Sequence, residues 1–209
     1  MRKNMTRIKF CGLRRPEDIE AVNRLGVSYV GFVFAPSSRR CVSHEQAAAL
    51  KSLLLPSIRA VGVFVDEDAE EVARLLEAGI IDIAQLHGSE DEAYVQRLKK
   101  LTVKPVIRAF RIQSVWDLRD AQTTLADGIL LDAGAGDGRT FEWTLLRRFE
   151  RPYFLAGGLT PENVELPVRR FRPFAVDVSS GIETDGYKDP EKMAAFAAAV
   201  RRADQGYSI

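Results

Sequence analysis

Short apolar segments alternate regularly with amphipathic segments along this chain of 209 residues. The apolar segments with the composition of strands are Arg7–Cys11, Tyr29–Phe34, Ala60–Val65, Ile81–Leu86, Pro105–Phe110, Gly128–Leu131, Tyr153–Ala156 and Ala175–Val178. Several of them are apolar on both faces, as in Val30-Gly-Phe-Val-Phe34. Strands of that kind are typical of a parallel sheet that is covered by helices.

Each strand is followed by a segment with helical spacing of its apolar residues. The first of these segments begins at Pro16. The others cover His44–Leu54, Asp68–Glu77, Glu90–Leu101, Val115–Gln122, Glu142–Phe149, Pro161–Phe171 and Pro190–Arg202. Ser43, with Gln46 three residues later, predicts a helix N-cap. Eight alternating βα units predict an α/β fold, a single-domain (βα)8 TIM barrel over residues 1–209. One miscounted strand would allow the alternative, a doubly wound open sheet.

Charge and composition exclude several classes of partner. Lys and Arg total 30 against 29 Asp and Glu, so neither nucleic acid nor an anionic membrane is expected to bind. No stretch of about 18 uncharged apolar residues could cross a bilayer. Cys11 and Cys41 cannot build a disulfide framework, and the first residues contain no apolar signal region, so we expect a cytoplasmic protein. His44 and His87 lie far apart with no other ligand at metal-binding spacing, and no metal site is predicted.

Two loops of the predicted barrel have the composition of a phosphate site. Gly157 and Gly158 follow the seventh strand, and Ser180 and Gly181 follow the eighth. Phosphate groups often bind at these two loops of a barrel, where glycines let backbone N–H groups approach the anion. Either pair alone could be turn residues. Two such loops side by side favour phosphate binding.

Cys11 ends the first strand, at the edge of the barrel where functional residues are expected. A thiolate acts as a base or nucleophile when cations lower the pKa of the thiol, and Lys9 points to the same side. The alternative is that Cys11 is a small apolar core residue. Cys41 has no comparable setting and is interpreted as structural.

Asp132 ends the sixth strand, after an apolar run. A partly desolvated carboxyl group can donate a proton near neutral pH, although Asp132 could also cap the following loop. Asp66 and Asp177 occupy comparable positions, so the pattern alone does not select one of the three. Arg40 could bind a carboxylate through two hydrogen bonds, or it could be a solvated arginine.

Longer motifs surround these residues. They are Lys9-Phe-Cys-Gly-Leu13, Gly31-Phe-Val-Phe34 with Pro36-x-Ser38-x-Arg40, Gln85-Leu-His-Gly88, Leu130-Leu-Asp132, Thr140-Phe-Glu-Trp143, Leu155-Ala-Gly-Gly-Leu-Thr-Pro-Glu-Asn163 and Val176-Asp-Val-Ser-Ser-Gly-Ile-Glu183. In this order, and over nearly the whole chain, the motifs resemble those of the phosphoribosylanthranilate isomerase family.

The resemblance implies an isomerase of tryptophan biosynthesis on a single (βα)8 barrel. Its reaction is the Amadori rearrangement of N-(5-phosphoribosyl)anthranilate to 1-(2-carboxyphenylamino)-1-deoxyribulose 5-phosphate. The substrate's nitrogen serves as the electron sink, so no cofactor or metal is implied. The only implied partner is the phosphorylated small molecule, bound by a monomer or homodimer.

The resemblance also implies roles for individual residues. Cys11 is the expected general base and Asp132 the expected general acid. Arg40 is expected to hold the substrate carboxylate, and Asp177 a sugar hydroxyl. His87 is grouped with the substrate-binding residues without a defined role. The expected phosphate ligands are Gly157, Gly158, Ser180 and Gly181.

One segment departs from the family pattern. The family usually has Gly-Gly-Ser/Thr-Gly-Lys/Arg where this chain has Ala135-Gly-Asp137-Gly-Arg139. A second negative charge beside the phosphate would be unfavourable, so either Asp137 turns to solvent or the loop takes a different part in closing over the substrate. Glu142, before Trp143, replaces the more usual Asp.

Two other functions compete with this one. The histidine-pathway sugar isomerase catalyses the same rearrangement on a related barrel. Its site has two aspartates, one of them at the end of the first strand, and this chain has Cys11 at that position. Activity on both substrates is compatible with the sequence. A non-catalytic phosphate-binding barrel would be expected to lack Cys11 or Asp132, and both are present.

Overall fold

A computed structural model describes residues 5–132, 146 and 149–205 of the chain. Eight parallel strands form a closed barrel in which each strand pairs with the next, and the eighth pairs with the first. They are β1 (Arg7–Cys11), β2 (Tyr29–Val33), β3 (Arg59–Phe64), β4 (Ile83–Leu86), β5 (Val106–Arg111), β6 (Gly128–Asp132), β7 (Phe154–Ala156) and β8 (Ala175–Val178). The predicted barrel is confirmed, and the open sheet is wrong because the pairing of β1 with β8 leaves no free edge.

The helices of the described residues pack around the barrel. They are α1 (Pro16–Leu25), α2 (His44–Ser52), α3 (Ala69–Glu77), α4 (Glu92–Leu101), α5 (Val115–Thr123), α6 (Glu165–Phe171) and α7 (Pro190–Gln205). The predicted cap of α2 is confirmed, because the Ser43 side chain accepts a hydrogen bond from the backbone N–H of Gln46. The helix predicted over Glu142–Phe149 falls mostly outside the described residues. None of the helices described is long and apolar enough to cross a membrane.

The sixth of these helices begins later than predicted. The expected start was Pro161, whereas α6 begins at Glu165. The intervening residues form a turn that Asn163 closes, since its side chain accepts from the N–H of Thr160 at 2.8 Å and donates to the carbonyl of Gly158 at 2.9 Å. The apolar residues with helical spacing therefore begin before the first residue of the helix.

A small hairpin after β8 is absent from the predicted elements. A 3-10 turn (Ser180–Ile182) leads into β9 (Glu183–Thr184), which pairs antiparallel with β10 (Tyr187–Lys188). Asp185 and Gly186 connect the two strands with φ angles of 53° and 78°. Asp-Gly is the pair that two-residue hairpin turns favour, because both turn residues need positive φ. The hairpin brings charged side chains to the mouth of the barrel.

The inside of the barrel is apolar except at a few positions. Side chains that include Val61, Ile83 and Ile107 form an interior cluster, separate from the larger one between the strands and the helices. Gln85 lies two residues after Ile83, on the same inward face of β4. Lys9 lies on β1 opposite Asp177 of β8, and these three polar side chains are buried.

Candidate active site

Cys11 lies at the last position of β1, where its side chain is buried. Val33, Ala35 and Val63 form an apolar cluster with it. Its partner across the strand pair is Gly31, and a β-carbon there would lie 2.7 Å from the Cys11 Sγ. The absent side chain of Gly31 therefore leaves the space that the thiol occupies.

The charged group nearest to this thiol in sequence is Lys9, whose side chain is fully buried. Its Nζ donates to both carboxylate oxygens of Asp177 at 3.0 Å. Burial lowers the pKa of Lys9, but the charges of Asp177 and Cys11 outweigh burial, so the pKa is raised. Lys9 is therefore held as a cation between a carboxylate and the thiol. The expected contact of Asp177 with a sugar hydroxyl remains a prediction, because in the structure both of its oxygens accept from Lys9.

Burial raises the pKa of the Cys11 thiol, and the carboxylate of Asp177 adds to this rise. Lys9 and Lys188 act in the opposite direction, and Lys9 has the larger effect of the two. Lys9 therefore lowers the pKa of the thiol, as the sequence predicted, but it also forms an ion pair with Asp177. The net effect of these groups is a raised pKa of the Cys11 thiol, which favours its neutral form.

Arg40 forms a second ionic cluster with Glu183 and Lys188 of the hairpin. Its Nε and Nη2 donate to the two carboxylate oxygens of Glu183, each at 2.7 Å. Lys188, itself buried, donates to the same carboxylate at 2.6 Å and to the Ser179 carbonyl at 2.9 Å. Burial raises the pKa of Glu183, but the hydrogen bonds from Arg40 and Lys188 outweigh burial and lower it to about 2.

Glu183 also determines which edge of Arg40 can meet a substrate. A guanidinium can bind a carboxylate through its Nε side or through its two terminal nitrogens. Glu183 occupies the Nε side, so the terminal edge is the one that can bind a second carboxylate. Gly12, at φ +82°, lies under the arginine stem, and a β-carbon there would overlap Arg40 Cδ. Glycine at this position lets Arg40 lie across the end of β1.

The loops that follow β7 and β8 pack directly on one another. A β-carbon at Gly181 would overlap the carbonyl oxygen of Leu159, so the backbones meet as closely as glycine permits. Gly157 and Gly158 have φ angles of 100° and 62°, a left-handed conformation that favours glycine. Ser180 is exposed beside them. The four residues predicted to bind phosphate therefore lie in two touching loops, as a shared anion site requires.

Asp132 ends β6 with a half-buried side chain and lies beside His87, which follows β4. The His87 Nε2 is 3.6 Å from the Asp132 Oδ2. On its other side, the ring Nδ1 is 3.0 Å from the Nε2 of Gln85. A histidine without a defined role in the sequence is thus a neighbour of the predicted acid.

The predicted site residues lie in the carboxyl-terminal part of barrel strands or in the loops that follow them, on one side of the molecule. Sequence reasoning missed the parts that Glu183, Lys188 and Gln85 play. Asp185-Gly186 was the signal for the hairpin that carries the first two. Asp137 lies outside the described residues. Within the described part of the chain, no group of three or more His, Cys, Asp or Glu side chains could hold a metal ion.

Known proteins resemble this chain over most of its length. The family model for N-(5'-phosphoribosyl)anthranilate isomerase matches residues 8–199. The chain belongs to this family. Among curated members, the N-(5'-phosphoribosyl)anthranilate isomerase of Lacticaseibacillus casei (strain BL23) is 45% identical over 192 residues, which are 92% of this chain and 93% of the relative.

Solved structures of phosphoribosylanthranilate isomerases share the fold of this family member. The enzyme from Thermotoga maritima aligns with a TM-score of 0.87 and 35% identity, over 95% of this chain and 100% of that one. A complex of phosphoribosylanthranilate isomerase with reduced 1-(o-carboxyphenylamino)-1-deoxyribulose 5-phosphate aligns with a TM-score of 0.85 and 35% identity, with the same two coverages. The family resemblance inferred from the motifs is confirmed.

Proposed function

We propose that this isomerase converts N-(5-phosphoribosyl)anthranilate to 1-(2-carboxyphenylamino)-1-deoxyribulose 5-phosphate. The observation that carries the proposal is the common position of Cys11, Asp132 and Arg40 at the mouth that also holds the two glycine loops. Each part of the substrate has a matching group there. The carboxylate meets a guanidinium, the phosphate meets backbone N–H groups, and the sugar lies between an acid and a base.

The first step opens the furanose ring. Asp132 transfers its proton to the ring oxygen while the bond from that oxygen to C1 breaks. The lone pair of the anilino nitrogen forms a double bond to C1, so the nitrogen becomes a cationic iminium. Asp132 becomes a carboxylate. The reaction needs no external electron acceptor, because the substrate's own nitrogen donates the electron pair and carries the positive charge that results.

The second step moves a proton from carbon. The iminium makes the C2 hydrogen acidic, and the Cys11 thiolate removes it. The electron pair of that C–H bond becomes a C1–C2 double bond and neutralises the nitrogen. The enolamine then takes the proton of the Cys11 thiol at C1, while the proton of its C2 hydroxyl passes to the Asp132 carboxylate and C2–O becomes the ketone. Asp132 is then protonated and Cys11 is a thiolate again. A positioned acid or base typically contributes about 10²–10⁴-fold to such a step.

The charges around Cys11 suit this order of events. Burial favours the neutral thiol, while Lys9 and Lys188 favour the thiolate. An iminium beside the sulfur adds a third positive charge only after the ring has opened. That charge favours release of the thiol proton to solvent, so the thiolate forms as the C2 hydrogen becomes acidic. Arg40 and the phosphate loops hold the substrate in position during this step.

The deciding experiment follows the loss of anthranilate-type fluorescence when freshly made phosphoribosylanthranilate is added to the purified chain. We expect rapid decay that Cys11→Ser and Asp132→Asn each reduce by at least about 100-fold, with binding of a phosphate ligand retained. Cys41→Ser is the matched control, because the Cys41 Sγ contacts the carbonyl of its neighbour Val42. Decay at the wild-type rate in either site variant removes that residue from its role.

Absence of decay in the folded wild-type chain contradicts the proposal. Turnover of the histidine-pathway substrate would then indicate that isomerase instead, and phosphate binding without turnover of either compound would indicate a non-catalytic barrel. The expected single domain, the cytoplasmic location and the monomeric or dimeric state are retained as parts of the proposal. Sedimentation of the purified chain measures the last of these.

A further inference from the structure

Gln85 is a buried amide at an apolar level of the barrel. Its exposed fraction is 1%. Its partners on the adjacent strands are Val63 and Ile107, neither of which offers a hydrogen bond from its side chain. Burying an amide costs about 1–3 kcal/mol unless its groups are paired. The hydrogen bond that the Gln85 side chain makes in the described part of the chain goes to His87.

The direction of this hydrogen bond determines where the imidazole carries its proton. The Gln85 Nε2 lies 3.0 Å from the His87 Nδ1, and the Gln85 Oε1 has no partner among the described residues. When the amide N–H donates, Nδ1 must present a lone pair, so the hydrogen of a neutral ring lies on Nε2. The reversed amide would instead bury an NH₂ group without an acceptor, and orphaned N–H groups are rarer than orphaned carbonyls.

The other end of the ring faces the acid. His87 Nε2 is 3.6 Å from Asp132 Oδ2. A bridging water, or a small movement of either side chain, would connect them by hydrogen bonds. Gln85 lies on β4 and His87 directly follows the end of that strand, so the end of the strand places the imidazole between the amide and the carboxyl group. Gln85, His87 and Asp132 are thus neighbours in series, from the buried amide to the half-buried carboxyl group.

We propose that Gln85 and His87 are positioning residues for Asp132. The Gln85 amide holds His87 as the Nε2–H tautomer, and that N–H faces the carboxylate that Asp132 becomes after giving its proton to the ring oxygen. The inference rests on the proposed function, because it needs Asp132 as the acid. Its effect is on the ring-opening step, in which negative charge appears on Asp132.

The tautomer can be measured without turnover. The chain contains two histidines, so a ¹⁵N-histidine-labelled sample without a histidine tag gives two imidazole signals, with half-buried His44 as the internal reference. We expect the neutral ring of His87 to be mainly the Nε2–H form in the wild type, and a mixture of both forms in Gln85→Met. A wild-type ring that carries its hydrogen on Nδ1 overturns the proposal.

Kinetics separate positioning from a merely structural role. Charge-assisted hydrogen bonds contribute about 1.5–3 kcal/mol, so we expect Gln85→Met to lower kcat about 10- to 100-fold with KM changed less than about threefold. Gln85→Glu should lower kcat as well, because a carboxylate accepts from Nδ1–H and favours the other tautomer. His44→Asn is the control and should keep the wild-type kcat, since His44 contacts Arg74 and Glu71 instead.

The Asp132→Asn background provides the sharpest test. If Gln85 acts through Asp132, adding Gln85→Met to Asp132→Asn leaves kcat unchanged within about twofold. A further loss equal to that of Gln85→Met alone indicates a structural role and overturns the proposal, as does a wild-type kcat in Gln85→Met alone. Failure of the wild-type chain to act on phosphoribosylanthranilate would contradict the proposed function instead, and the tautomer measurement distinguishes the two results.

Discussion

Replacing Lys9 by methionine removes the positive half of a buried ion pair. Lys9 Nζ lies 3.0 Å from Asp177 Oδ2, and the exposed fractions of the two side chains are 0% and 8%. Breaking such a pair costs about 3–5 kcal/mol, because the remaining charge is left in a poorly solvating environment. We expect the free energy of unfolding to fall by that amount, a large part of the roughly 5–15 kcal/mol typical of a folded protein.

A double-mutant cycle distinguishes the charge effect from loss of packing. Replacing both partners by apolar residues of similar volume is often neutral, so Lys9→Met with Asp177→Leu should recover stability to within about 1 kcal/mol of the wild type. The coupling energy should then be at least about 2 kcal/mol. Lys99→Met is the matched control, since its ion pair with Asp127 is 36% and 43% exposed and should contribute less than about 1 kcal/mol.

Two measurements check this reasoning. Urea unfolding at pH 7 gives the stabilities, and alkylation of Cys11 as a function of pH, in a Cys41→Ser background, gives the thiol titration. Lys9→Met should move the midpoint of alkylation to higher pH, because Lys9 lowers the pKa of that thiol. A loss of stability below about 1 kcal/mol, or strictly additive single effects, would refute the account of the buried pair.

Three further predictions concern the other contacts of the site. Arg40→Ala should raise KM for phosphoribosylanthranilate about 10- to 100-fold with a smaller change in kcat; an unchanged KM in the fluorescence assay would exclude a carboxylate clamp. The pKa of Glu183 is lowered from 4.5 to about 2, so its contribution of up to about 3 kcal/mol is present above about pH 4.5 and is lost as the pH falls toward 2. Glu183→Gln should therefore flatten the stability profile in that range, and urea midpoints that still parallel the wild type would contradict this. Gly31→Ala places a carbon 2.7 Å from Cys11 Sγ and should reduce kcat at least about tenfold; full activity would mean that the thiol has room to move.

Much of the fold could be predicted because its signals are local. A strand buried on both faces shows as a short apolar run, and a helix start such as Ser43 shows within four residues. The number of repeats then selected the barrel. The late start of α6 was not visible in the apolar spacing, because the competing turn depends on two hydrogen bonds of the Asn163 side chain.

The sequence by itself determined the strand ends to within one residue, and with them which side chains reach the mouth of the barrel. Cys11 became a candidate because a parallel barrel places its strand ends together, and the resemblance to the family motifs selected Asp132 over Asp66 and Asp177. The partners of these residues were decided only by the tertiary structure. Asp177 is 168 positions from Lys9, and Glu183 is 143 positions from Arg40. Such contacts exist only after β8 closes on β1, and charge energies depend on the burial and distance that closure creates.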